Sequence, residues 1–133
     1  MKRKLIRITF IGDIMCERPL LKAYFINKGY DFRPVFEATK KLFNESDFVI
    51  GNLETVFAGK EVGYTNSLYS FNTPDEFLDA LKESGIDLFL TANNHCLDRG
   101  IDGLKRTIHE LDSRNMAHIG TYLNEKELKK NLC

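Results

Sequence analysis

Residues 85–111, GIDLFLTANNHCLDRGIDGLKRTIHEL, contain a strand, a polar turn and a helix in direct succession. The apolar run at 86–91 is typical of a short strand, and the apolar residues of 101–114 recur at the spacing of one helical face. A helix that follows a strand carries the chain back for another parallel strand. This stretch therefore predicts an α/β fold with a mainly parallel sheet and flanking helices.

The same alternation of strand and helix extends along the rest of the chain. Other predicted elements are strands at 5–11, 48–50 and 117–120, a helix at 33–45, and a second helix that follows Thr73 and ends at Gly85. The second of these helices has a proline start signal, with Thr73 as its N-cap and Glu76 closing a capping box. Residues 55–72 are predicted to form a long loop with a short extended stretch at 68–71. Right-handed crossovers would join the strands.

Length and composition fit one globular domain. The chain has 133 residues, of which 43% are hydrophobic and 29% charged, and these values exclude disordered, collagen-like and coiled-coil proteins. Nineteen basic and nineteen acidic side chains cancel, so we expect no nucleic-acid partner. The N-terminal apolar run is broken by Arg7, is too short for a signal peptide and contains no transmembrane segment. We therefore expect a cytoplasmic location.

Polar side chains follow three of the predicted strands, at the point where each strand ends. They are Asp13 after the first strand, Asn52 and Glu54 after the second, and Asn93, Asn94 and His95 after the third. The carboxyl ends of parallel strands border one crevice, so we expect these side chains to converge. Carboxylates, amides and imidazoles suit Mn, Fe, Zn or Mg, and a carboxylate can bridge two ions in a hydrolytic site. The sequence predicts a divalent metal site there.

Several of these residues, and Asp98 near them, also have a structural alternative. Asp13 could simply form a Gly-Asp turn, and Asn52 and Glu54 could cap their own loop. Asp98, three residues after His95, could fix the imidazole tautomer or could cap the following helix. For each of these residues the functional and the structural interpretation both stay open at this point.

Two arginines and two cysteines are predicted to lie near the same crevice. Arg18 and Arg99 are candidates for holding an anionic group of the substrate, although solvated surface positions are the default. Cys16 and Cys96 could form a thiolate site, but neither fits a known short thiol signature. Together with Cys133 they make an odd number of cysteines without a CxxC pair, which indicates reduced thiols.

Four segments carry a family resemblance: GDIMCERP at 12–19, DFVIGNLET at 47–55, the stretch 85–111, and HIGT at 118–121. In order and spacing they resemble the bacterial CapA family, the capsule-synthesis proteins associated with poly-γ-glutamate. That family resembles the calcineurin-like metallophosphoesterases, an α/β/β/α sandwich with a dinuclear metal site at the strand ends.

The resemblance implies a role for individual residues. Asp13, Glu54 and Asn94 would be metal ligands, with Glu54 bridging, and His95 would be the catalytic histidine. Asp98 would assist His95, while Asn52 and Asn93 would orient the ligands.

The resemblance also implies an activity and an incomplete site. Residues 1–120 correspond to the N-terminal part of such a domain, with 121–133 as a polar tail, so we expect the later metal ligands and the second sheet to be absent. A partner chain, a homo-oligomer mate or a missing C-terminal half would cover the exposed edge or apolar face. The implied function is a metal-dependent hydrolase of phosphoesters or γ-glutamyl amides. The alternative is a non-catalytic binding or assembly subunit for an anionic polymer or a partner in the capsule machinery.

Overall fold

A computed structural model describes residues 5–131 of the chain, so Cys133 lies outside the described residues. Strands and helices alternate along it, as predicted. In chain order the elements are β1 (Ile8–Ile14), α1 (Arg18–Ala23), β2 (Phe25–Ile26), β3 (Gly29–Tyr30), α2 (Arg33–Asn44), β4 (Phe48–Leu53), a 3₁₀ helix (Lys60–Val62), α3 (Glu76–Ser84), β5 (Leu88–Leu90), α4 (Gly100–Ser113), β6 (Ala117–Ile119) and α5 (Glu125–Asn131).

Four of the strands form one sheet. Their order is β1-β4-β5-β6, and each neighbouring pair is parallel. The crossovers between them contain α2, α3 and α4, while β2 and β3 form a separate antiparallel hairpin. The prediction of a mainly parallel sheet with flanking helices is confirmed.

The end of β1 differs from the prediction. We expected the strand to stop before a Gly12-Asp13 turn, but it continues to Ile14. The register with β4 shifts between Ile11 and Asp13, so Gly12 is an extra residue in the strand. Since strand side chains alternate between faces, one extra residue places Asp13 on the same face as Asn52 and turns Ile14 into the core.

The second predicted strand is also longer than expected. It was predicted at 48–50, ending at Gly51 and buried on both faces, whereas β4 extends to Leu53. Only one face is buried, since Val49 lies in the core and Phe48 is exposed. A continuous apolar run does not distinguish a strand covered on both faces from one with an uncovered apolar face.

The core lies between one face of the sheet and the helices. Val49, Leu53 and Phe89 from the sheet pack in one cluster with Phe77 and Leu81 of α3. The other face carries large apolar side chains that are exposed to solvent, namely Ile8, Phe10, Phe48, Leu90 and Ile119. The expected uncovered apolar face is therefore present in the described chain.

The start of α3 corrects the predicted capping box. The helix begins at Glu76 after Asp75, and no side chain caps it. The Thr73 hydroxyl instead lies 2.7 Å from the Thr55 hydroxyl, within the loop that precedes the helix. The C-terminal prediction is confirmed, because Gly85 ends α3 with a left-handed φ of 94°.

The short elements were not predicted. Residues 55–72 form the expected long loop, but 68–71 is not a strand, and the loop contains the 3₁₀ helix instead. α1 and the β2–β3 hairpin were missed because six-residue helices and two-residue strands are too short to show a periodic pattern. Part of the expected polar tail is helical, in α5.

A Phe→Ala substitution should have a large effect on one face of the sheet and a small effect on the other. Phe89 is 1% exposed and Phe10 is 71% exposed. Phe89→Ala should lower the free energy of unfolding by about 3–5 kcal/mol, because it leaves a cavity. Phe10→Ala should cost under about 1 kcal/mol, within the range of strand propensity. Urea denaturation of the two variants measures both values, and equal losses would show that the second face is packed after all.

Candidate functional site

Asn52 connects the carboxylates at the ends of β1 and β4. Its Nδ2 group donates to Asp13 Oδ1 and to Glu54 Oε2, each at 2.8 Å. Asn93, from the turn after β5, donates to Asn52 Oδ1 at 3.1 Å and to the Leu53 carbonyl at 2.9 Å. Side chains from three strand ends therefore meet. The bonds from Asn52 to Asp13 and from Asn93 to Asn52 join different segments, while Asn93 also caps its own turn by accepting the His95 N–H at 3.0 Å.

His95 lies beside this network and is held by Asp98. Its Nδ1 is 2.8 Å from Asp98 Oδ2, and its Nε2 is 3.8 Å from Glu54 Oε1. Asp98 does not cap α4, whose N-cap is Arg99 without a side-chain hydrogen bond. An imidazole that donates its Nδ1 proton to a carboxylate keeps an Nε2 lone pair available on its other side. That free nitrogen faces Glu54.

The backbone of the long loop also binds Asp98. The Phe71 N–H donates to Asp98 Oδ2 at 2.6 Å, and the Phe71 ring centroid lies 4.4 Å from that of His95. Arg99 donates through Nη1 to the Ser70 hydroxyl, next along the same loop. The sequence marked this loop as long, but the roles of Phe71 and Ser70 arise from contacts across the fold and have no local signal.

Asn72 holds that loop in shape from a fully buried position. Its Oδ1 accepts the Ala58 N–H at 2.8 Å, and its Nδ2 donates to the carbonyls of Gly59 and Gly63 at 2.8 and 2.9 Å. Its backbone N–H donates to the Thr65 hydroxyl at 3.0 Å. A buried amide with these partners fixes the loop and, through it, the position of Phe71.

The pKa values of the two carboxyl groups are shifted in opposite directions. The hydrogen bond from Asn52, followed by one shared with Glu54, holds the pKa of Asp13 below its usual value. Burial first, and then the hydrogen bond and charge of Asp13, raise the pKa of Glu54. Two carboxyls at one site disfavour double ionisation, and a bound cation would relieve that repulsion.

The donor set fits part of a divalent-cation shell. Carboxylate and amide oxygens are ligands for hard cations, and an imidazole nitrogen broadens the choice to Mn, Fe or Zn. Across residues 5–131, no group of three His, Cys, Asp or Glu side chains is arranged to hold a metal ion. The residues present therefore match the chemistry of such a site but provide an incomplete set of ligands.

Three predicted site residues lie outside the hydrogen-bonded network. Asn94 is exposed, whereas its neighbour Asn93 makes the contacts to β4. Arg99 lies next to the site and donates to the Asp98 carbonyl at 3.0 Å. Arg18 lies on α1 and lines a cavity that includes none of the carboxylate–histidine site residues, and its place beside the crevice stays a prediction.

The cysteines do not form a thiolate site in the structure. Cys16 is fully buried in the core, and burial raises the pKa of its thiol to about 12. It therefore stays protonated at neutral pH and packs as a small apolar residue. Cys96, in the turn after β5, is a partly buried free thiol.

Comparison with known proteins gives a family match over nearly the whole chain. The family model described as bacterial capsule synthesis protein PGA_cap matches residues 7–133. The PGA biosynthesis protein CapA of Bacillus subtilis (strain 168) is 30% identical over 125 residues, which are 93% of this chain and 32% of that protein. The capsule biosynthesis protein CapA of Bacillus anthracis is 30% identical over 126 residues, which are 92% and 30%. The chain thus spans about a third of the length of these relatives.

None of the helices in the described part of the chain combines the length and the apolar character needed to cross a bilayer.

The buried thiol predicts a loss of stability in alkaline solution. The usual pKa of 9.0 applies to Cys16 in the unfolded chain, and about 12 applies in the folded chain. The stability that this raised pKa contributes is complete below pH 9 and is lost as pH rises towards 12, with a slope of up to about 1.4 kcal/mol per pH unit. Urea denaturation from about pH 8 to pH 10.5 should show a steeper decline for the wild type than for Cys16→Ala. Parallel declines would contradict the raised pKa.

The buried amide predicts a large effect of one loop substitution. Asn72→Leu keeps the side-chain size but leaves a buried N–H and two carbonyls without partners, so the free energy of unfolding should fall by about 3 kcal/mol or more. Asn66→Leu changes an exposed residue of the same loop and is the matched control. Urea denaturation measures both, and the His95 side-chain NMR signals should move only in Asn72→Leu. Equal behaviour of the two variants would show that Asn72 does not organise the loop.

Proposed function

The chain belongs to the bacterial capsule synthesis protein family PGA_cap, and on that basis we propose that it carries part of a metal-dependent hydrolase site used in capsule or poly-γ-glutamate biosynthesis. The observation that carries this proposal is the convergence of Asp13, Asn52 and Glu54 with the His95–Asp98 pair. Acidic, amide and imidazole groups at the ends of adjacent parallel strands form an arrangement suited to hydrolysis.

The proposed metal ligands are Asp13, Glu54 and Asn94. Asn52 holds the carboxylates in place by donating to both Asp13 and Glu54, and Asn93 holds Asn52 by donating to its Oδ1. A bound divalent cation supplies a Lewis acid that lowers the pKa of a water molecule and so provides a nucleophile near neutral pH. Asn94 is exposed in the turn after β5.

His95 acts as the proton donor or acceptor in the proposal. Asp98 accepts a hydrogen bond from Nδ1–H and so fixes the orientation of the ring, and the Phe71 N–H donates a hydrogen bond to Asp98 in turn. The Nε2 lone pair would take a proton from the attacking water, and Nε2 would then give that proton to the leaving group of the substrate. Arg99, anchored to the Asp98 carbonyl, places a positive charge beside the reacting group.

The substrate classes are phosphoesters and γ-glutamyl amides. Both develop negative charge on oxygen during hydrolysis, which a cation and a nearby guanidinium stabilise. The names of the two CapA relatives, which refer to PGA biosynthesis and capsule biosynthesis, support a γ-glutamyl polymer as the substrate.

A second candidate function is a non-catalytic binding or assembly subunit. The uncovered sheet face favours it, because five large apolar side chains there are exposed, as surfaces that dock another protein often are. In this case the carboxylate–histidine site would bind an anionic polymer, or a partner in the capsule machinery, without turnover.

Metal-dependent stability tests the proposed site. An ion that binds only the folded chain adds about 2.7 kcal/mol at a hundred times its dissociation constant. Thermal unfolding with Mn, Zn or Mg should show this gain in the wild type but not in Asp13→Asn or Asn94→Ala. Asp102→Asn, which removes one exposed carboxylate from α4, should keep the gain. A gain that survives in Asp13→Asn would place the metal elsewhere.

Turnover separates the two candidate functions. Metal-loaded protein is tested with a nitrophenyl phosphodiester and a γ-glutamyl anilide. For a hydrolase, His95→Gln should retain the metal-dependent gain in stability while losing at least about tenfold in rate, as for a missing general acid. Metal binding without hydrolysis of either substrate would favour the binding subunit.

A further inference from the structure

A second cavity lies away from the carboxylate–histidine site. Its volume is about 440 Å³, within the range of small-molecule sites. It is bordered by α1, the β2–β3 hairpin and the long loop after β4. Its lining residues are Arg18, Leu21, Lys22, Phe25, Tyr30 and Thr65. None of the proposed metal ligands or catalytic residues is among them.

Two positive charges stand at this cavity without a partner. Arg18 and Lys22 are four residues apart on α1 and so project on the same side of the helix. Neither forms an ion pair or a side-chain hydrogen bond with any other residue between 5 and 131. The acidic side chains near the hairpin, Asp31, Glu76, Asp79 and Glu83, line a neighbouring cavity that shares Tyr30 with this one.

Tyr30 adds a fixed hydroxyl to the same cavity. Its ring stacks on Phe32 with centroids 5.3 Å apart and meets the edge of Phe25 at 5.3 Å. Burial raises the pKa of Tyr30, so its hydroxyl remains a neutral hydrogen-bond donor. Within the described chain this hydroxyl has no hydrogen-bond partner. The cavity thus combines two cations, one free donor and an apolar wall formed by Leu21 and Phe25.

The cavity shares a structural support with the carboxylate–histidine site. Thr65 lines the cavity, and its hydroxyl accepts the backbone N–H of Asn72 at 3.0 Å. Asn72 adjoins Phe71, which contacts both Asp98 and His95. One loop therefore forms a wall of the cavity and positions the proposed catalytic pair.

We propose that this cavity is a subsite for one free carboxylate of an acidic polypeptide, bound by Arg18, Lys22 and the Tyr30 hydroxyl. The methylene groups that neighbour the carboxylate in the polymer chain would pack against Leu21 and Phe25, a contact that a polyphosphate has no methylene groups to make. The proposed subsite depends on the proposed function for one point only, which is that the polymer is a γ-linked glutamate chain.

Calorimetric titration of the whole chain with a γ-linked glutamate oligomer of about ten residues tests the subsite. The Arg18→Gln/Lys22→Gln double variant should bind at least about tenfold more weakly, because it loses two charge-assisted contacts. Tyr30→Phe should lose about threefold, as for one neutral hydrogen bond. The control is Lys40→Gln/Lys41→Gln, which removes the same charge from exposed positions on α2 and should bind like the wild type.

Three results would overturn the subsite. The first is that the wild type does not bind the oligomer. The second is that the affinity for the oligomer falls equally in both double variants, which would indicate non-specific charge attraction. The third is equally tight binding of a polyphosphate of matched charge with the same dependence on Arg18 and Lys22. The metal and turnover measurements do not involve these residues, so the proposed hydrolase can fail while the subsite stands, or the reverse.

Discussion

The parallel pairing of β1 with β4, with one extra residue at Gly12, is the constraint on which the site depends. With regular alternation, Asp13 would point towards the helices and Ile14 away from the core. The bulge exchanges them, so a carboxylate faces Asn52 and a methyl-rich side chain enters the core. Gly51 makes this possible, because a Cβ there would lie 2.6 Å from Ile14 Cδ1. Packing on one side of the strand and chemistry on the other are set by the same two glycines.

The long loop after β4 has a second organising role. Its Val56, Phe57 and Phe71 side chains are buried, and a fully buried asparagine and a set of threonine hydroxyls pair its backbone and polar groups. Such a network is rigid when every member is paired. It delivers a backbone N–H to Asp98 and an aromatic ring to His95 without placing any charged group of its own in the site. The polar interior of the loop thus supports the imidazole from the side opposite the carboxylates.

Sequence reasoning located the fold and the strand-end residues because these depend on local patterns. Apolar runs and helical spacing predicted the four strands of the sheet and the three crossover helices, and polar residues after the strands predicted the meeting of Asp13, Asn52 and Glu54. It missed the bulge, since an extra residue is visible only against a paired strand. It also missed Phe71, whose contacts arise across the fold, and it did not predict the cavity that Arg18 lines, because α1 and the hairpin are too short to predict. The different environments of Asn93 and Asn94 depend on the backbone of the turn and cannot be distinguished from their identical side chains.

The order of strands in the sheet is the same as their order in the chain. During synthesis each new strand can therefore add to the free edge left by the previous one, and none has to insert between two strands that are already paired. Sheets whose strand order reverses lack this property, since their chain must return to the opposite edge. Because domains form progressively from the N-terminus on the ribosome, β1 and β4 can pair before β5 and β6 have emerged. At every stage the growing sheet presents a free edge at its newest strand and an uncovered apolar face, and these are the surfaces through which a nascent chain can aggregate.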